Sequence, residues 1–352
     1  MSAVLRILEP GLLTTLQDLG RIGYQHLGVP TSGALDPVSF RAANILVGNA
    51  PTEGALEIAY VGPTFIVEAD SVNLACAGAD VSVEVFPNEA AANGVRYSSM
   101  QSFHAHRGQV VRVGHTAGWS LVYLAVEGGF DIKPVLGSVS TYVRGHIGGW
   151  QGRALAAGDA LPLRRTSAGN SDEFRLEGLD LAQPSRFRVV LGPQHKRFSD
   201  KSIGAFLDGE YTISSATDRM AMQLDGPKLE HVGGHDIVSD GIALGSVQVP
   251  GHGRPIVLMA DRQTTGGYPK VATVISADLP ALGRSRIGDK ISFQEASVEE
   301  ARHLRRTLLQ QIEAIPNRVV PAHRTSDDLT ACLLMNNLIS GIANAQLAPF
   351  ME

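Results

Sequence analysis

The chain reads as a mainly β protein of two subdomains with a helical extension at its C-terminal end. Three observations predict this. Glycine is abundant, 38 of 352 residues, and punctuates a series of short apolar runs. Those runs alternate or carry β-branched residues, the mark of strands joined by tight loops. Beyond residue 296 the apolar spacing switches to that of helices. A length of 352 residues agrees with two units, since globular domains commonly span roughly 100–200 residues.

The first subdomain is placed at 1–180, with strands predicted at 64–68, 110–114 and 120–126. A single early helix is predicted at about 37–47, where Asp36 caps, Pro37 fits the first helical position, and Phe40, Ala43, Ile45 and Leu46 supply an apolar side. Polar stretches at 164–173 and 179–185 read as linkers. The second subdomain is placed at 181–296, with strands at 187–191 and 255–260 and a closing turn and strand at 287–293. In the extension, 297–352, Ser297 and Glu300 make a capping box. Val298, Ala301, Leu304, Leu308, Ile312 and Ile315 follow at helical spacing, and Pro316 stops the helix. A second helix is predicted at 327–345. This amphipathic tail reads as docking on its own body, on another copy in a homo-oligomer, or on a partner.

Composition removes several function classes. A net charge of -5 with 18% charged residues is ordinary for a globular chain and gives no basic face for nucleic acid. Arginine greatly outnumbers lysine, which reflects either anion recognition or the base composition of the source genome. Cys76 and Cys332 lie in apolar surroundings and read as buried free thiols in a reducing compartment. The N-terminal apolar run carries charges and no small-residue cleavage pattern. The apolar stretch near the C-terminus is broken by Asn336, Asn337 and Asn344. Neither a signal peptide nor a membrane span is expected, and the cytoplasm is the expected location.

The chain has no phosphate loop of the Gly-Lys-Ser/Thr type, no His-Glu-x-x-His, no Gly-x-Ser-x-Gly elbow and no Cys-x-x-Cys. His231 and His235 flank two consecutive glycines and read as a polar loop rather than metal ligands, so no metal site is expected. His104 and His106 share one face of a strand, with the same reading.

Three polar clusters remain. In the first, Asp18, Arg21, Ser32 and Asp36 sit in glycine-rich turns beside a helix N-terminus, suited to a carboxylate or phosphoryl group. Alternatively Asp18 and Arg21 pair with each other to hold a loop, and Asp36 is only a cap. In the second, Ser138, Thr141 and Arg144 can bind an oxyanion, with Gly148 and Gly149 allowing close backbone approach. The same stretch also reads as a long connection between strands. In the third, a strand delivers Asp261, Gln263, Thr264 and Tyr268 to the mouth of a barrel, near Arg219 and Gln248. A carboxylate, an amide and a hydroxyl together can recognise an amide or lactam or orient a water. A hydrogen-bonded structural corner is the rival reading.

These segments, in this order, resemble the family of KipA-like proteins, allophanate hydrolase subunit 2 and biotin-dependent carboxyltransferases, and within it most of all the C-type subunits of 5-oxoprolinase. The matching stretches are 17–21, 28–36, 43–49, 56–57, 62–63, 218–220, 248–250 and 261–269. The resemblance covers roughly 4–294. It departs at 281–286, where a glutamine is expected before the closing turn. The resemblance implies cyclophilin-like β-barrel subdomains and a hydrolase complex that opens 5-oxo-L-proline to L-glutamate with ATP bound at the level of the complex. The implied partners are a KipI-like B-type subunit and a LamB/YcsF-like A-type subunit. In this reading Asp261, Gln263, Arg219 and Tyr268 are catalytic. Asp18, Arg21, Ser32, Asp36, Ser138, Thr141, Arg144, Gln248 and Thr264 bind substrate. Two alternatives follow from the same resemblance. One is the carboxyltransferase part of a urea-type carboxylase, which alone would bring in biotin, and no lysine here is flanked by methionines as a biotin acceptor would be. The other is a non-catalytic regulator that binds a KipI-like partner.

Overall fold

A computed structural model of the chain describes residues 3–169 and 172–322. The first half forms two antiparallel sheets around one apolar core. Six strands run in the spatial order Ala160–Pro162, Val4–Glu9, Thr64–Val67, Val110–Val113, Ser82–Phe86 and Val95–Ser98. Seven more run in the order Leu13–Gln17, Ala55–Ala59, Ala117–Val126, Ser71–Asp80, Gln101–His106, Phe174–Leu176 and Val319–Pro321. Strand alternation turns Leu5, Ile7 and Phe65 of the first sheet and Leu56, Leu74 and Leu124 of the second into a shared core, all fully buried. Each such side chain contributes about 1.5–3 kcal/mol relative to exposure.

Helix α1, Pro37–Leu46, covers the other face of the seven-stranded sheet. Asp36 caps it by accepting from the backbone N–H groups of Val38 and Ser39. Phe40, Ala43 and Leu46 meet Ala75, Ala77, Ala125 and Tyr123, and the strand alanines let the helix sit close. Cys76, from the same strand, is a buried free thiol, and burial pushes it up to about 12.

The second half closes as a seven-stranded barrel in the order Phe187–Leu191, Lys270–Val274, Ser246–Gln248, Ile256–Leu258, Ala221–Asp225, Glu210–Ile213 and Lys290–Glu295. Every pairing is antiparallel except the parallel Phe187–Leu191 and Lys290–Glu295 pair that completes it. Helix α2, Asp200–Asp208, contributes Phe206, which stacks on Phe293 at 4.7 Å between ring centroids. A two-stranded ribbon, Asp240–Gly241 with Thr265–Gly266, stands outside the barrel. Of the two barrel-like units expected, the second is thus a closed barrel and the first is a pair of sheets sharing one core.

Helix α3, Leu279–Arg284, and helix α4, Val298–Glu313, follow. Ser297 caps the helix as its spacing predicts, its side chain accepting from the Glu300 N–H. The helix ends before Pro316, which lies in a 3-10 turn, Ile315–Arg318. The extension is not helical throughout. Val319–Pro321 pairs with Phe174–Leu176 as the edge of the first half's sheet, a role suited to β-branched Val319 and Val320. The predicted helix at 327–345 and Cys332 lie outside the described residues. Among the described residues no helix is long and apolar enough to cross a membrane.

Candidate functional site

A buried guanidinium, that of Arg219, pins the seam between the two halves. Arg219 precedes the strand Ala221–Asp225, and Asp261 follows the neighbouring strand Ile256–Leu258. The ladder between these strands extends past their ends, with Met259 N–H donating to the Met220 carbonyl and Asp261 N–H to the Arg219 carbonyl, both at 2.9 Å. The two side chains therefore meet, and Arg219 Nε donates to Asp261 Oδ2 at 3.1 Å. Its Nη2 donates to the Gly33 carbonyl at 2.6 Å, and its Nη1 to Glu57 of the first half. Glu57 also accepts from Leu35 N–H at 2.9 Å and from the Tyr123 hydroxyl at 2.6 Å. Burial opposes the charge on Arg219, yet the charges of Asp261 and Glu57 hold its pKa above the ordinary value. Burial, then the charge of Glu57, pushes Tyr123 well up.

The loop 18–36 packs against this arrangement, for Ser32 N–H donates to the Ala260 carbonyl at 3.2 Å. The first and third sequence clusters thus converge at one seam. Within the loop Asp18 is a knot: its carboxylate accepts from Ser138 Oγ, Ser140 Oγ and the N–H groups of Val139 and Gly20, at 2.5–2.8 Å. Asp18 and Arg21 make no direct ion pair. Arg21 is 1% exposed and donates from Nη2 to the Ser140 carbonyl. Burial pushes its guanidinium below the ordinary value, opposed by the charges of Asp18 and Asp261. The close approach at Gly148 and Gly149 is to the protein's own Ser140, Arg21 and Thr141. A Cβ on Gly149 would fall 1.8 Å from Thr141 Oγ1.

The remaining candidates divide. Thr141 is buried and its hydroxyl donates to the Leu16 carbonyl at 2.9 Å, while Ser138 is tied to Asp18. Arg144 reaches across the seam to Asp218, Nη2 to Oδ2 at 2.6 Å, and that hydrogen bond raises its pKa. Asp36 borders the cluster through its backbone, its N–H donating to the Tyr123 hydroxyl at 2.9 Å. One oxygen caps α1, the other accepts from Arg284 Nη1 at 2.8 Å, and the side chain is fully buried. Both its oxygens are engaged within the protein, which is the cap-only alternative plus an ion pair. At the barrel mouth Gln263 Nε2 donates to Gln248 Oε1 at 3.3 Å, and Gln248 Nε2 to the Tyr268 carbonyl at 3.4 Å. Tyr268 is 40% exposed and Thr264 is half-buried. His231 Nε2 lies 2.9 Å from the Val249 carbonyl, in the polar loop expected of it.

A cavity of about 110 Å³ opens at the same seam, with apolar walls that include Leu13, Leu35, Leu121 and Met222 and with Glu57 and Arg219 in its lining. Sequence reasoning missed Glu57, Ser140, Arg284 and Lys270 as members of the site and its supports. Glu57 did carry a signal, because a carboxylate inside the apolar strand Ala55–Ala59 demands a buried partner. Lys270, at 3% exposure, donates from Nζ to Asp240 at 2.7 Å and to the Gly241 carbonyl at 3.1 Å, tying the outer ribbon to the barrel.

A model of the carboxyltransferase domain, subdomains A and B, matches residues 27–295. The 5-oxoprolinase C subunit of Escherichia coli is 36% identical over 90% of this chain and 99% of its own length. That of Haemophilus influenzae is 37% identical over 85% of this chain and 94% of its own length. Among solved structures, the K. lactis urea amidolyase superposes with a TM-score of 0.80 at 26% identity over 92% of this chain, which spans 21% of that larger protein.

Proposed function

Since the chain belongs to the carboxyltransferase-domain family, subdomains A and B, we propose that it is the C-type subunit of an ATP-dependent 5-oxoprolinase, a cytoplasmic complex that opens 5-oxo-L-proline to L-glutamate. The observation that carries this reading is the identity of 36–37% with two 5-oxoprolinase C subunits, over nearly their whole lengths. A KipI-like B-type subunit and a LamB/YcsF-like A-type subunit complete the complex, and ATP is used at that level.

The chemistry asked of the seam follows from the bond to be broken. An unactivated lactam hydrolyses slowly, and phosphorylating its carbonyl oxygen turns the ring carbon into a better electrophile. ATP transfers its terminal phosphoryl group to that oxygen and leaves as ADP. Water adds to the ring carbon, the C–N bond breaks with the nitrogen taking a proton, and a second water releases phosphate. The phosphoryl oxygens carry negative charge throughout, and one preorganised donor to such charge contributes about 10²–10³ in rate. Arg21, Arg144 and Arg219 supply positive charge around Asp261. The Gln263 amide and Tyr268 hydroxyl provide acceptor and donor for a lactam or a water, with Gln248 and Thr264 beside them. Asp18, Ser138 and Thr141 act by holding the loop that carries Arg21 and Ser32.

The test is turnover of 5-oxo-L-proline by purified A- and B-type subunits with ATP, with and without this chain. Full-rate turnover in its absence overturns the reading. The superposition on a urea amidolyase favours a second reading, the carboxyltransferase part of a urea-type carboxylase. That reading requires biotin on another chain and activity that avidin abolishes.

A further inference from the structure

Building on the 5-oxoprolinase reading, we infer that Arg21 and Ser32 together form the receptor for the carboxylate of the substrate. Arg21 is 1% exposed, and only its Nη2 has a partner, the Ser140 carbonyl. Its Nε and Nη1 meet no acceptor among the described residues, which leaves a free donor on each edge of the guanidinium. A buried cation in this condition is costly to the fold unless an anion joins it. The two carboxylates whose charge it feels are engaged elsewhere. Asp18 is tied to Ser138, Ser140, Val139 and Gly20. Asp261 is tied to Arg219.

Ser32 adds a neutral donor from the same loop. Its Oγ is likewise buried with no partner among the described residues, and its φ of 55° is a left-handed conformation that a serine rarely adopts. Ser32 N–H is anchored on the Ala260 carbonyl, one residue before Asp261, and Arg21 N–H on the Thr31 carbonyl. These bonds hold the loop ends together and set the Ser32 backbone against the end of a barrel strand. Gly148 completes the cradle: its φ is +70°, and a Cβ there would lie 2.5 Å from Arg21 Nη2. A guanidinium with a hydroxyl is a carboxylate receptor, because charge-assisted hydrogen bonds are shorter and roughly twice as strong as neutral ones. Free inorganic phosphate or bicarbonate shares the oxyanion chemistry, so the test separates these sources.

The purified full-length chain is titrated calorimetrically, and its melting followed, with 5-oxo-L-proline, with 2-pyrrolidone, which is the lactam without the carboxylate, and with phosphate and bicarbonate. The expected result is saturable binding of 5-oxo-L-proline at least about tenfold tighter than 2-pyrrolidone, about 1.4 kcal/mol. Arg21→Met abolishes that preference, and Ser32→Ala, which adds no strain at the same φ, weakens it by roughly threefold to tenfold. Arg21→Lys keeps the charge without the fork and recovers only part of the binding. Equal binding of the two lactams overturns the inference, and so do saturation by phosphate or bicarbonate alone, full affinity in Arg21→Met, and no saturable binding to the wild-type chain. Circular dichroism checks the fold of each Arg21 variant, and Ser32→Ala carries the test if Arg21→Met does not fold. Each of these outcomes leaves the turnover assay of the complex to stand or fall by itself.

Discussion

Arg219 and Glu57 are 162 positions apart, yet the Arg219 Nη1 donates to the Glu57 carboxylate across the seam between the two halves, and both side chains are at most 8% exposed. Removing one partner of a buried pair leaves an uncompensated charge and costs about 3–5 kcal/mol. Glu57→Ala is therefore expected to lose that much in equilibrium denaturation. A loss under about 1 kcal/mol contradicts the pinning role.

Asp36 serves two partners, the α1 N-terminus and Arg284. Asp36→Asn keeps a capping oxygen and discards the charge, whereas Asp36→Ala discards both. The alanine variant is expected to be less stable than the asparagine variant by about 1 kcal/mol, the usual worth of a cap. Thermal melting of the two proteins measures the difference, and equal melting temperatures refute the cap's share.

Arg144 and Asp218 form an exposed pair, at 58% and 46% side-chain exposure. Such a pair contributes at most about 1 kcal/mol to stability. If Arg144 serves the reaction, Arg144→Met lowers kcat of the reconstituted complex by about 10²-fold with little change in melting temperature. Wild-type kcat in this variant assigns Arg144 to the seam alone.

Asp159 gives a pH signature. Its carboxylate accepts from Arg153 Nη1 and Nη2, each at 2.7 Å. Burial acts to raise its pKa, but the Arg153 hydrogen bonds and the Ala156 N–H outweigh it and depress the group from 3.8 to about 2. A depressed carboxylate stabilises the fold above its unfolded value and loses that contribution as pH falls from about 4 toward 2. Arg153→Met is expected to flatten stability against pH in that window. A wild-type acid limb in this variant excludes the assignment.

Local patterns in the sequence translate directly into structure where neighbours decide the outcome. Asp36 and Pro37 start α1, Ser297 caps α4, and the predicted strands at 64–68, 110–114, 120–126 and 187–191 all form within a few residues of their expected ends. Helix signals in the extension gave no warning that Val319–Pro321 joins the first half's sheet, because strand pairing is a contact with a distant partner.

The candidate site divides along the same line. Glycine-rich loops and the polar residues Arg21, Ser32, Arg219 and Asp261 are legible as chemistry, and the family is legible in their order. Which groups are engaged and which remain free is decided only in three dimensions. Asp18 accepts hydrogen bonds from Ser138 and Ser140, Asp36 pairs with Arg284, and Glu57 with Arg219, at separations of 120 to 248 residues. The sequence by itself determines local conformation and the inventory of charged groups, since both depend on side-chain type and near neighbours. The tertiary structure decides the pairing of those charges, because Coulomb attraction and burial act through space.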